Sequence, residues 1–163
     1  MHKPERFNSP EYLAALDEAG SSEVCRFSVS ALHAMKQAAE NDYPLEACGL
    51  LIGTIGNGWQ IDEARQVENL NKARAADRFQ LDPAGYRSID HALRGTGREI
   101  IGVFHSHPDC PANPSPTDLE SAWEGFAYPI ISVCNGEVSN ILCWTLNEDG
   151  NRFQSLPIRY SRK

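Results

Sequence analysis

Cys48-Gly49-Leu50-Leu51-Ile52-Gly53-Thr54-Ile55 is a short apolar run with no polar alternation. It predicts a strand buried on both faces, as in the middle of a sheet with helices on either side. Gly56-Asn57-Gly58 is a turn signal, and the chain returns as a second strand from Trp59 through Val67. Upstream, Val24 to Val29 reads as a strand. Ser30 can cap a helix from Ala31 to about Asn41 that places Leu32, Met35 and Ala39 on one face, and Pro44 ends it. Downstream, Phe79-Gln80-Leu81 is a short extended piece. Asp82 offers an N-cap and Pro83 a first helical position for a helix reaching about Arg94 before Gly95. Glu99 to His105 is the next strand, Pro108 to Pro116 an irregular proline-rich loop, and Pro116 to about Trp123 a short helix. Pro129–Cys134 and Val138–Leu146 form a hairpin about Asn135-Gly136, and Phe153 to Tyr160 reads as a last edge strand after Asp149-Gly150. Residues 1–23 read as an N-terminal extension, with a short helix over Glu11 to Ala19 ended by Gly20-Ser21-Ser22. Helices interleaved with strands predict one α/β domain over 24–163, a central mixed sheet flanked by helices on both faces.

The 163 residues are 41% hydrophobic and 23% charged, an ordinary globular balance. No apolar run approaches the roughly 18 to 20 residues of a membrane span, and no apolar stretch follows the polar start, so neither a membrane helix nor a secretory signal is expected. The expected location is cytoplasmic. A net charge of −7 argues against nucleic acid as a partner. Basic residues do gather at Arg65, Lys72, Arg74, Arg78, Arg87, Arg94 and Arg98. They form either a solvated face or a docking surface for an acidic macromolecule. The cysteine count, 5, is odd, so a disulfide framework is not expected. Cys25, Cys48, Cys134 and Cys143 read as buried thiols, whereas Cys110 lies in a polar loop.

The chemistry concentrates in His105-Ser106-His107-Pro108-Asp109-Cys110-Pro111-Ala112-Asn113-Pro114-Ser115-Pro116-Thr117-Asp118. Residues two apart on a strand share a face, so His105 and His107 can converge on one ion. Asp118, at the start of the next helix, is a candidate third ligand. Three protein ligands with a place left for water are the pattern of a catalytic zinc. Local capping also explains Ser115-Pro116-Thr117-Asp118, with Ser115 at the N-cap, Pro116 at N1 and an acid at N3. Glu46, in Tyr43-Pro44-Leu45-Glu46-Ala47-Cys48-Gly49, borders the predicted buried strand. It is either a general base with a raised pKa or a solvated loop carboxylate. Helical zinc-protease motifs, the zinc deaminase pattern, nucleophile-elbow and P-loop signatures are absent from the sequence. Cys110 is too close in the chain to both histidines to pair with one as a cysteine nucleophile without a tight reversal.

Glu46, His105-x-His107-Pro108 and Ser115-x-x-Asp118, in that order and with that spacing, resemble the JAMM (MPN-plus) metalloprotease signature, E…H-x-H-x(7)-S-x(2)-D. The resemblance extends over about residues 24 to 160. It implies an α/β, deaminase-like sandwich and a Zn²⁺ held by His105, His107 and Asp118 with water as fourth ligand. It further implies that Glu46 acts as proton carrier and that Ser115 hydrogen-bonds the developing oxyanion. The connecting segments are short and a second Cys/His cluster is missing, so the chain is similar to small stand-alone bacterial members. Their substrates would be ubiquitin-like β-grasp proteins, cut after a C-terminal Gly-Gly, in sulfur-carrier processing or in removal of conjugates. The competing expectation is a non-catalytic MPN binding module whose structural zinc is closed by Cys110 beside His105, His107 and Asp118.

Overall fold

A computed structural model describes Leu16–Asp17 and residues 23–160. In chain order the elements are β1 (Leu16–Asp17), β2 (Cys25–Phe27), α1 (Val29–Asp42), β3 (Cys48–Gly56), β4 (Gly58–Val67), α2 (Pro83–Leu93), β5 (Glu99–Pro108), α3 (Pro116–Glu120), β6 (Tyr128–Cys134), β7 (Glu137–Leu146), β8 (Phe153–Leu156) and β9 (Ile158–Tyr160). The described residues form a nine-stranded mixed sheet in the order β1-β8-β7-β6-β5-β3-β4-β2-β9. β3 lies between the antiparallel neighbours β4 and β5, and β5 runs parallel to β6.

Two clusters cover the sheet. On one face Ala31, Met35, Ala38 and Ala39 of α1 meet Leu51, Ile61, Phe104 and Ile131. On the other, Leu50, Ile52, Ile100, Val103 and Ile130 meet Leu93 of α2, with Tyr86, Ile89 and Leu119 packed alongside. Leu50 and Leu51 thus enter opposite clusters, as a strand buried on both faces requires. An α/β sandwich with helices on both faces is what the sequence predicted.

Several local expectations change. Phe153 to Tyr160 is two strands, because Pro157 has no N–H to continue a ladder. β8 and β9 then lie near opposite ends of the sheet although one residue separates them, so the sheet curls until its ends approach. Cys25 N–H donates to Pro157 O (2.9 Å) at that seam. The curl lets Cys25 and Phe27 share a cluster with Cys143 and Leu156 around α1. The helix α1 starts earlier than read: Ser28, not Ser30, is its N-cap, accepting from Ala31 N–H (3.1 Å). Cys134 is exposed, not buried. Most of the helix expected over Glu11 to Ala19 falls outside the described residues; Leu16–Asp17 within it is a strand parallel to β8. Among the described residues, none of the helices is long and apolar enough to cross a membrane.

The placement of β5 prepares the site. Leu51 pairs with Gly102 and Ile52 with Ile100, so Ile101 is an extra residue in the β3–β5 ladder. This bulge re-phases the strand: Ile101 and Phe104 fall in one cluster, Ile100 and Val103 in the other. Gly102 is where β5 meets the chain entering β6; a Cβ there would lie 2.3 Å from Ala127 O.

Candidate active site

His105 and His107 leave the β3–β5–β6 centre of the sheet on the same face, and both are buried. Ser106 points the other way. Its hydroxyl accepts from Ala47 N–H (2.8 Å), and its own N–H donates to Ala47 O (3.0 Å). The residue between the two histidines therefore grips the residue next to Glu46.

Three atoms converge on the histidine face. His105 Nε2 lies 3.0 Å from His107 Nε2 and 3.3 Å from Asp118 Oδ2, and His107 Nε2 lies 3.4 Å from Asp118 Oδ2. His107 Nδ1–H donates to Pro111 O (2.8 Å), which puts the lone pair of that ring on Nε2. Three acceptor-type atoms this close together need a shared positive partner, and a cation at the centre would engage all three at once. Ligands about 2.0 to 2.1 Å from a tetrahedral ion stand about 3.3 to 3.4 Å apart, close to these separations. His105 stacks on Phe79 with ring centroids 4.5 Å apart, and its Nδ1 is buried without a hydrogen bond to any described residue. Such a group costs about 1 to 3 kcal/mol.

Asp118 reaches this point because of its helix cap. Ser115 is the N-cap of α3: its hydroxyl accepts from Asp118 N–H (3.2 Å), and Asp118 Oδ2 accepts from Ser115 N–H (2.7 Å). The capping arrangement and the ligand arrangement coexist, the box presenting the carboxylate to the histidines. Burial pushes the Asp118 carboxyl up, but His105 and His107 beside it more than offset this and hold it well below the usual carboxylate range. Ser115 is buried and accepts in the cap, which leaves its O–H as a donor.

Glu46 is buried, not solvated, and its carboxylate joins His105 and His107 in a group of ligand-type atoms within 4.8 Å of one another. The histidine pair thus has two carboxylates at hand, Asp118 with Oδ2 at 3.3 and 3.4 Å from the two Nε2 atoms and Glu46 in the same group of ligand-type atoms. The Glu46 backbone is held from a second direction: its N–H donates to Ala75 O (2.6 Å), and its carbonyl accepts from Asn69 Nδ2 (3.2 Å). Cys110 is half-buried in the loop after β5, with its carbonyl held by Ser132 Oγ (2.5 Å).

A cleft of about 440 Å³ opens from His105 and Asp118. Phe79, Leu81, Pro83, Tyr86, Trp123 and Tyr128 give it apolar walls, and Arg78 and Arg87 line it. Asn69 is the residue that sequence reasoning missed. Its Nδ2 donates to Glu46 O and to Arg78 O (3.1 Å), and its Oδ1 accepts from Asn71 N–H and Gln80 N–H (both 3.0 Å). The only local signal was an Asn two residues after a strand, a common turn former.

A family model described as prokaryotic homologs of the JAB domain matches residues 28–147. A desampylase of Haloferax volcanii is 36% identical over 104 residues, which are 63% of this chain and 73% of that protein. A CysO-cysteine peptidase of Mycobacterium tuberculosis is 29% identical over 100 residues, 61% of this chain and 66% of that one. The fold is shared with a solution structure of a protein from Desulfitobacterium hafniense, with a TM-score of 0.74 at 24% identity over 86% of this chain and 94% of that chain. The matched segment runs from the cap of α1 past the end of β7, enclosing β3, β5, α3 and every residue of the site. The chain belongs to the prokaryotic JAB-domain family.

Proposed function

We propose that the chain is a zinc-dependent peptidase or isopeptidase that hydrolyses the bond after the C-terminal glycine of a ubiquitin-like β-grasp protein. The observation that carries the reading is the triangle of His105 Nε2, His107 Nε2 and Asp118 Oδ2, with the buried Glu46 carboxylate beside it. The names of the relatives, desampylase and CysO-cysteine peptidase, supply the substrate class.

His105, His107 and Asp118 hold the ion. A bound Zn²⁺ lowers the pKa of a water and polarises the scissile carbonyl. Glu46 takes a proton from the attacking water as the oxygen bonds to the carbonyl carbon. It returns that proton to the amine nitrogen as the C–N bond breaks, giving a carboxylate and a free amine. The Ser115 O–H donates to the carbonyl oxygen as negative charge develops there. A glycine at the cut, having no side chain, lets an extended tail thread where other residues would clash.

The test compares the wild-type chain with Glu46→Ala on a purified ubiquitin-like protein extended beyond Gly-Gly, with products read by mass spectrometry. Cleavage after the second glycine is expected. Glu46→Ala should keep its zinc and lose about 10²- to 10⁴-fold in rate. Parallel loss of zinc and activity in that variant would make Glu46 a ligand and overturn its role.

A further inference from the structure

Most of the basic residues that gather in the sequence are neutralised in the fold. Arg65 pairs with Glu63, Lys72 with Glu68 (3.1 Å), Arg74 with Asp77, Arg94 with Asp90 (4.0 Å) and Arg98 with Glu63 (3.1 Å). Arg78 and Arg87 enter none of the ion pairs among the described residues, and these are the two that line the cleft reaching His105 and Asp118. Asp77, the acid next to Arg78 in sequence, is engaged by Arg74.

Arg78 is anchored at both ends. Asn69 Nδ2 holds its carbonyl (3.1 Å), and Nη1 donates to Thr117 Oγ1 on α3. Thr117 precedes Asp118 on α3, and Arg78 lines the same cleft as His105 and Asp118. The guanidinium carries five N–H donors and spends one on Thr117, which leaves a pre-oriented fork for a planar anion. Around it stand Phe79, Leu81, Tyr86 and Trp123, surroundings that strengthen any pairing the fork makes.

We propose that Arg78, assisted by Arg87, binds a carboxylate on the leaving side of the scissile bond. The inference rests on the hydrolase reading in one respect: two glycines precede the cut and carry no side chains, so a carboxylate this close to the bond belongs to the residue beyond it. The α-carboxylate of a single released amino acid and an acidic side chain at that position share this chemistry.

The experiment reads equilibrium binding by fluorescence anisotropy, with the zinc-loaded Glu46→Gln chain so that turnover does not interfere. The probes are one labelled peptide ending in Gly-Gly-Ala with a free carboxylate, its C-terminal amide, and the Gly-Gly-Asp amide. The free acid should bind about 10- to 100-fold tighter than the Ala amide. The Asp amide shows whether a side-chain carboxylate serves equally. Adding Arg78→Met should bring acid and amide within about 2-fold, and adding Arg87→Met, a change at an exposed helix position, should narrow the gap by about 3-fold. Equal binding of all three probes, an advantage of the acid or of the Asp amide that survives Arg78→Met, or no binding of any probe overturns the proposal. Cleavage of the intact extended protein by the wild-type chain is scored separately, so a failed hydrolase reading and a failed carboxylate site give different results.

Discussion

Two segments flank the histidines, and they are held in different ways. Residues 109–115, between β5 and α3, are gripped at one point after another by separate partners. Asp109 N–H donates to Val133 O (2.6 Å), Ser132 Oγ to Cys110 O, His107 Nδ1 to Pro111 O and Trp144 Nε1 to Ala112 O (2.9 Å). Pro108, Pro111 and Pro114 restrict the backbone further. Residues 68–82, between β4 and α2, depend far more on one side chain. The Asn69 amide spends both donors and accepts two bonds in tying Glu46, Asn71, Arg78 and Gln80 together. The side of the site that carries His107 and Asp118 is held by several separate partners, whereas Asn69 is the one side chain that ties Glu46 to the cleft wall, beside the Glu46 N–H bond to Ala75 O and the Arg78 bond to Thr117. Loss of one contact should therefore be mild in the first segment and severe in the second.

The largest effect is expected at the amide. Asn69→Ala should destabilise the chain by about 2 to 4 kcal/mol in urea unfolding, since net contributions of about 0.5 to 1.5 kcal/mol per bond are lost together. It should also cut the hydrolysis rate more than it cuts zinc content, because Glu46 and Arg78 each lose one of their supports while the triangle loses none. Trp144→Phe tests the other segment. It keeps the ring packed and orphans Ala112 O, so a cost of about 1 to 2 kcal/mol is expected with zinc unchanged, as His107 stays oriented by Pro111. Tyr43→Phe should be smallest. Tyr43 O–H donates to Asp109 Oδ2 (2.6 Å), and Asp109 Oδ1 also accepts from Asn135 N–H, so about 0.5 to 1 kcal/mol is at stake. A Trp144→Phe cost above that of Asn69→Ala would reverse the comparison.

What the sequence revealed divides along the same line. The β3 strand, the Asn135-Gly136 turn and the Asp82–Pro83 start of α2 follow from neighbouring residues, and each stands where it was read. The two-strand split at Pro157 was legible in principle, but the destination of β9 across the sheet was not, since it depends on how far the sheet curls. The Ile101 bulge likewise shows only once β3 and β5 are paired. In the site, strand parity put His105 and His107 on one face and capping grouped Ser115 with Asp118, because both are local rules, whereas Glu46 joined them only through the resemblance to the JAMM signature. That the Ser115–Asp118 cap also turns the carboxylate toward both histidines was not visible, because a cap and a ligand look alike in sequence. Asn69 and Arg78 were illegible for another reason: their partners lie at Glu46 and Thr117, set by tertiary packing alone.

The most direct test of the account is zinc bound per chain under competition with a chelator, measured for Asp118→Asn beside Glu46→Gln. An Asn at this N3 position can still accept from Ser115 N–H through its amide oxygen, so the first substitution should cost the fold only about 0.3 to 1 kcal/mol. The account predicts that Asp118→Asn loses its zinc while melting cooperatively, and that Glu46→Gln keeps one ion per chain at near wild-type affinity. Full zinc and full hydrolysis in Asp118→Asn would contradict it.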